Sequence, residues 1–122
     1  MVSDVFDKEE NRKNYIRDML KTLTKREENV LRMYFGLDGR ERFTLEEIGR
    51  DFDLTVRTIK KYKNKGIRKM MHPQRSRLLI SHIDKDLIER CKNNGNNSKL
   101  MDEFMEQLLY PPREIVEKWV II

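Results

Sequence analysis

This sequence predicts an all-α fold: a helix-turn-helix bundle with additional C-terminal helices. Three observations predict it. Apolar residues recur at helical spacing along most of the chain, whereas Val, Ile and Thr form no alternating runs of the kind that make strands. Two capping boxes, Thr24-Lys25-Arg26-Glu27 and Thr44-Leu45-Glu46-Glu47, mark helix starts, because each Thr/Glu pair satisfies orphan backbone donors. Gly (5) and Pro (3) are scarce in 122 residues, so few points interrupt the helices.

The elements follow in order. Residues 1–7 read as disordered, and residues 8–22 as a helix with Tyr15, Ile16, Met19 and Leu20 on one side. Thr24 opens a second helix carrying Val30, Leu31, Tyr34 and Phe35, and Gly36 to Gly39 ends it in a turn. Thr44 opens a short helix to about Phe52, with Phe43 and Ile48 as a hydrophobic staple across the cap. Thr55 caps the next helix, with a second staple from Leu54 to Ile59. It runs to about His72, where Pro73 stops it. After Arg77 the chain reads as helix through Leu87 to Cys91, and Asn93 to Ser98 as a loop. Ser98 caps a helix whose face holds Leu100, Met101, Phe104, Met105, Leu108 and Leu109. That face reads as core, with a methionine-rich partner surface as the alternative. Pro111-Pro112 breaks this helix, and Pro112 starts a last one containing Ile115, Val116, Trp119 and Val120. The domain reading is 1–22 as tail and leading helix, 23–80 as the helix-turn-helix domain, and 81–122 as a helical extension of unknown role.

Composition narrows the class. Charged residues are 39% and hydrophobic residues 38%, so the core should be small and the helices should have wide solvated faces. The single cysteine, Cys91, permits no intrachain disulfide and reads as a small buried or half-buried thiol in a reducing compartment. The acidic, polar residues 1–10 make no signal peptide, and no apolar run approaches the roughly 18 residues of a membrane span. The expectation is a soluble, cytoplasmic protein without membrane contact. His72 and His82 have no carboxylate or thiol arranged around them, and no phosphate loop, nucleophile motif or metal cluster is present. The chain therefore reads as no enzyme and as needing no cofactor.

Charge is distributed unevenly. Residues 55–80 hold 9 Lys/Arg and no acid, while residues 1–54 hold 11 against 13 and residues 81–122 hold 6 against 8. A solvated surface normally mixes both signs, so a one-signed segment stores repulsion that a polyanion relieves. Nucleic acid is the commonest such partner.

The same segment has helix-turn-helix spacing. Gly49 is a small residue where two helices cross, and Asp53-Leu54 makes a tight turn in which Asp tolerates the left-handed conformation. In the helix from Thr55, the residues Ile59, Tyr62, Gly66, Ile67 and Met70 fall along one stripe, as core. Arg57, Lys60, Lys61, Asn64 and Arg68 fall opposite, and the first two turns of such a helix reach base edges in a major groove.

At these residues the chain resembles region 4 of the sigma-70-type bacterial RNA polymerase sigma factors. The resemblance is carried by LTKREENVLRMYFGLDG at 23–39, FTLEEIGRDFDLT at 43–55 and IRKMMHPQRS at 67–76. It implies a recognition helix that reads the −35 promoter element and an apolar pocket that grips the polymerase β-flap. By position, Arg26, Leu45 and Glu46 would support the DNA backbone, and Thr55, Val56, Arg57, Lys60 and Lys61 would face the groove. Thr58, Lys63, Asn64 and Arg68 complete the candidate DNA-contacting set. Where the family has TRERIRQIE, this chain has Thr55 to Lys63 as TVRTIKKYK, so base preference should differ from the usual −35 sequence or be weak. The added lysines favour phosphate contacts, which position without specifying. The family's upstream regions have no counterpart here, and the resemblance does not extend to residues 84–122. The resemblance therefore implies a free-standing region 4, with promoter melting supplied by a second protein.

Three functions stay open. One is a sigma-like transcription factor binding double-stranded DNA and core polymerase. Another is an interaction protein that displaces a sigma domain from the flap, with little specific DNA binding. The last is a LuxR-type regulator, to which LTKRE followed by VRTIKK is similar.

Overall fold

The computed structural model describes residues 13–72, 83, 85–93 and 97–110. Among these described residues the chain is all-α, with six α-helices, one 3-10 turn and no strand. The helices are α1 (residues 13–21), α2 (Lys25–Phe35), α3 (Leu45–Phe52), α4 (Val56–Met71), α5 (Lys85–Asn93) and α6 (Ser98–Leu109). The 3-10 turn, Leu37–Gly39, follows α2.

Local chemistry sets the boundaries. The Thr24 hydroxyl accepts from the Glu27 amide while the Glu27 carboxylate accepts from the Thr24 amide, and Thr44 and Glu47 repeat the exchange at α3. Thr55 caps α4 by accepting from the Thr58 amide. Gly36 ends α2 in the left-handed region (φ 65°), where a side chain would also meet the Arg40 carbonyl at 2.8 Å. Asp53 adopts the same conformation (φ 55°) at the end of α3, and the Leu54 amide returns to the Gly49 carbonyl at 2.8 Å.

Two expected boundaries move. Ser98 does not cap α6: Asn97 does, its side-chain oxygen accepting from the amides of Lys99 and Leu100. The Ser98 hydroxyl is occupied elsewhere, with Lys63 and Asn64. Of the helix expected from about Arg77 to Cys91, Ile83 is not helical and the described helix is Lys85–Asn93. Ile83 (3% exposed) is buried in the larger of the molecule's two cores. The tail at 1–12, the Pro73–Ile80 stretch with Arg75 and Arg77, His82, and the closing helix with Trp119 lie outside the described residues.

Two cores organise the bundle. The larger draws on α1 (Ile16, Met19, Leu20), α2 (Leu31, Phe35), α4 (Ile67, Met70), α5 (Leu87, Cys91) and α6 (Leu100 to Leu108). Each large side chain removed from water there contributes about 1.5–3 kcal/mol. The apolar face of α6 is thus core, shared with α1, α2 and α4. The smaller core is Val30, Ile48 and Ile59, ringed by Phe43, Leu45, Phe52, Leu54 and Tyr62. It holds α3 and the start of α4, and it contains both hydrophobic staples. Among the described residues no helix is long and apolar enough to cross a membrane.

Candidate nucleic-acid interface

Helices α3 and α4, joined at Asp53-Leu54-Thr55, form the helix-turn-helix. Gly49 makes the close crossing possible, because a Cβ there would sit 2.7 Å from the Leu54 carbonyl oxygen. The smaller core then fixes which side of α4 is left for solvent. Ile59, Lys63, Gly66, Ile67 and Met70 turn inward. Arg57, Lys61 and Arg68 emerge on the far side, with Lys60 and Lys65 flanking them, and all five are exposed. Arg57 to Arg68 spans about 16 Å at 1.5 Å per residue. None of the five pairs with a carboxylate among the described residues.

The other expected residues fall into three groups. Arg26, Glu46, Thr55 and Val56 are exposed, Val56 at 38%. Arg26 stands beside the cationic face, donating to the Tyr62 hydroxyl at 3.2 Å with its guanidinium 5.8 Å from that ring's centroid. Leu45, Thr58 and Asn64 are half-buried. The side chain of Leu45 packs on the smaller core, the Thr58 hydroxyl lies 2.9 Å from that of Thr55, and Asn64 accepts from Ser98.

Lys63 is the correction. Expected among the DNA-facing cations, it is 2% exposed. Its Nζ donates to Asp102 Oδ1 at 2.7 Å and to Ser98 Oγ at 3.1 Å, and lies 4.9 Å from the centroid of the Tyr34 ring. The reason is helical geometry: position 63 lies one turn from both Ile59 and Ile67, so the core stripe passes through it. Lys69 also turns inward, donating to Glu27 Oε1 at 2.8 Å. The acid-free segment is acid-free in sequence only, since acids of α2 and α6 answer two of its lysines. Conversely, the sequence reading missed Lys65. Its position one turn beyond Lys61 and one turn before Arg68 was the available signal.

The paired groups have shifted titrations. Burial pushes the Glu27 carboxyl up, but hydrogen bonds from Lys69 and from the backbone and hydroxyl of Thr24 outweigh it and hold the group below the ordinary range. Burial and the hydrogen bond to Asp102 push the Tyr34 phenol up to about 12, so it stays a donor. Burial likewise raises the Cys91 thiol, which is an inert core group.

Comparison with known proteins bears on this arrangement. Residues 19–72 match the family described as sigma-70, region 4. Those residues form a sigma-70 region 4-like domain. Similar proteins include the RNA polymerase sigma factor SigA of Listeria monocytogenes and that of Listeria innocua, each 48% identical over 72 residues covering 59% of this chain. Another is SigA of a Bacillus species, at 47% over the same length. The chain spans 19% of the length of each of these relatives. The helix-turn-helix and its exposed cations fall inside the region 4-like domain, whereas α5 and α6 lie beyond it.

Proposed function

We propose that the protein is a DNA-binding transcription factor that places α4 of its region 4-like domain against promoter DNA. The observation that carries this reading is the exposed row Arg57, Lys60, Lys61, Lys65 and Arg68, on the face of α4 turned away from both cores. Such a helix fits a major groove. Arg57 and Lys61 are the candidates for guanine acceptors, with Lys60, Lys65, Arg68 and Arg26 on phosphates. Thr55, Val56 and Thr58 form the tip of the helix, where Val56 can meet a thymine methyl. Leu45 and Glu46 begin α3 at the flank, and Asn64 lies at the edge of the row.

The second partner in this reading is core RNA polymerase, gripped through its β-flap. It is supported by the region 4 resemblance. An open groove of about 460 Å³ between α1, the 3-10 turn and the end of α6, floored by Ile16, Leu20, Leu37 and Leu109, could receive an apolar helix. A reading in which polymerase binding dominates and DNA contact is secondary draws on Val56 and Thr58, which offer no bidentate readout.

Co-purification with core polymerase, followed by sequencing of the retained DNA, tests both partners. The expected result is polymerase together with enriched duplex sequences. For about five neutralised phosphates, the log–log salt slope of binding should be roughly −4 to −5. Polymerase without enriched DNA would support the interaction-protein reading. A palindromic site bound by a dimer without polymerase would support a LuxR-type regulator.

A further inference from the structure

We infer that Asp102 is a positioning residue for the DNA-facing helix: from α6, beyond the region 4-like domain, it fixes the rotation of α4 about its own axis through Lys63. The role assigned to that rotation rests on the DNA-binding reading above.

The arrangement joins three helices at one point. Lys63 of α4 donates to Asp102 Oδ1 at 2.7 Å, while Tyr34 of α2 donates to Asp102 Oδ2 at 2.9 Å. The Lys63 ammonium also donates to Ser98 Oγ at 3.1 Å, and Ser98 in turn donates to Asn64 Oδ1 at 3.3 Å. Two adjacent residues of α4 are therefore tied to the first turns of α6. One turn along α6, Glu106 receives both Arg42 nitrogens, at 2.6 and 3.1 Å, just ahead of α3. A single face of α6 thus holds α4 and the approach to α3 together.

An apolar residue at position 63 would complete the core stripe, so burial alone does not call for lysine. Apolar contact is non-directional and lets a helix roll, whereas charge-assisted hydrogen bonds fix an angle. A buried pair of this kind adds less to stability than to the choice of one arrangement. The angle matters on the opposite face. At a radius of about 6 Å, a roll of about 20° moves the ends of Arg57, Lys61 and Arg68 by about 2 Å. That is enough to lift them off a hydrogen bond of ordinary length.

The test uses the full chain and the double variant Lys63→Met/Asp102→Asn, which removes both charges at similar volume and keeps at position 102 an acceptor for the Tyr34 hydroxyl. Three quantities are read: the thermal midpoint, the residual dipolar couplings of the α4 amides, and affinity for a mixed-sequence DNA duplex at low salt. The inference expects an unchanged or higher midpoint, α4 couplings that no longer fit the parent orientation, and an affinity about tenfold weaker. The single variant Asp102→Glu, which keeps Lys63 and a carboxylate opposite it, should retain most of the parent affinity. Parent-like couplings in the double variant overturn the inference, whatever the DNA result. Altered couplings with parent-like affinity overturn its link to DNA. If the parent chain itself binds no duplex, the DNA-binding reading fails, and altered couplings would still establish Asp102 as the residue that sets α4.

Discussion

The first half of α4, Val56 to Tyr62, rests on a core of three buried residues, while the second half, Lys63 to Met71, enters a core built from α1, α2, α5 and α6. Charge follows the same division. Both lysines that pair inward, Lys63 and Lys69, lie in the second half, which also leaves Lys65 and Arg68 in solvent, whereas all the cations of the first half, Arg57, Lys60 and Lys61, are exposed. The contrast teaches how one basic helix can be both anchored and presented. Its C-terminal half carries the inward anchors, and in the proposed reading the exposed row from Arg57 to Arg68 meets the DNA. An isolated Lys/Asp count would treat these cations alike; burial separates them.

Matched truncations in the two cores give the largest expected effects. Ile59 and Ile67 are both fully buried on the same helix, one in each core. Ile67→Ala should cost about 4–5 kcal/mol, because neighbours on every side prevent collapse into the space left, and Ile59→Ala about 2–3 kcal/mol. Urea unfolding measures both, and equal losses would erase the distinction between the cores.

Glycines sharpen the same contrast at the next size. Gly49→Ala forces a Cβ against a backbone oxygen of the helix-turn-helix and should cost about 1–3 kcal/mol, with loss of DNA affinity. Gly66→Ala meets the Leu31 Cδ1 atom at 3.0 Å, the end of a side chain that can turn aside. Its gain in helix propensity, about 0.5–1 kcal/mol, should cancel that adjustment. Thermal midpoints of the two variants check this, and a Gly66 variant as damaged as the Gly49 one would contradict it.

Titration gives smaller effects. Glu27 has a folded pKa below its ordinary 4.5, so its contribution is present above that value and fades as the pH falls below it. Glu27→Gln should flatten that part of the stability profile, and an unchanged acid limb would remove Glu27 from the account. Tyr34, raised to about 12 from 10.0, contributes below pH 10 and loses that contribution as the pH rises through 12. Its phenolate absorbance should appear about two units later than in an exposed tyrosine, and Tyr34→Phe should remove that late step.

Much of this was legible in the sequence because it is local. Caps at Thr24, Thr44 and Thr55, the left-handed Asp53 and the two staples each depend on residues within a few positions. The exposed face of α4 was legible too, from helical period and charge. Lys63 was not, because its partner Asp102 lies 39 positions away and a run of lysines reads as a solvated surface. The stripe through Ile59, Lys63 and Ile67 held the missing signal, overruled by residue type. The cap of α6 was misread because Asn97 and Ser98 are both good caps, and only the demand of Lys63 on the Ser98 hydroxyl separates them.

The claim beneath all of this is that the cations of one helix divide into DNA-facing and inward groups. Salt-dependent binding to duplex DNA, compared among the parent chain, Lys61→Ala and Lys63→Met, tests it most directly. The account predicts that Lys61→Ala reduces the magnitude of the log–log slope by about 0.9, one phosphate's worth, while Lys63→Met, which removes no phosphate contact of its own, reduces it by less and only through the orientation of α4. A slope that drops equally for both, or only for Lys63→Met, would contradict it.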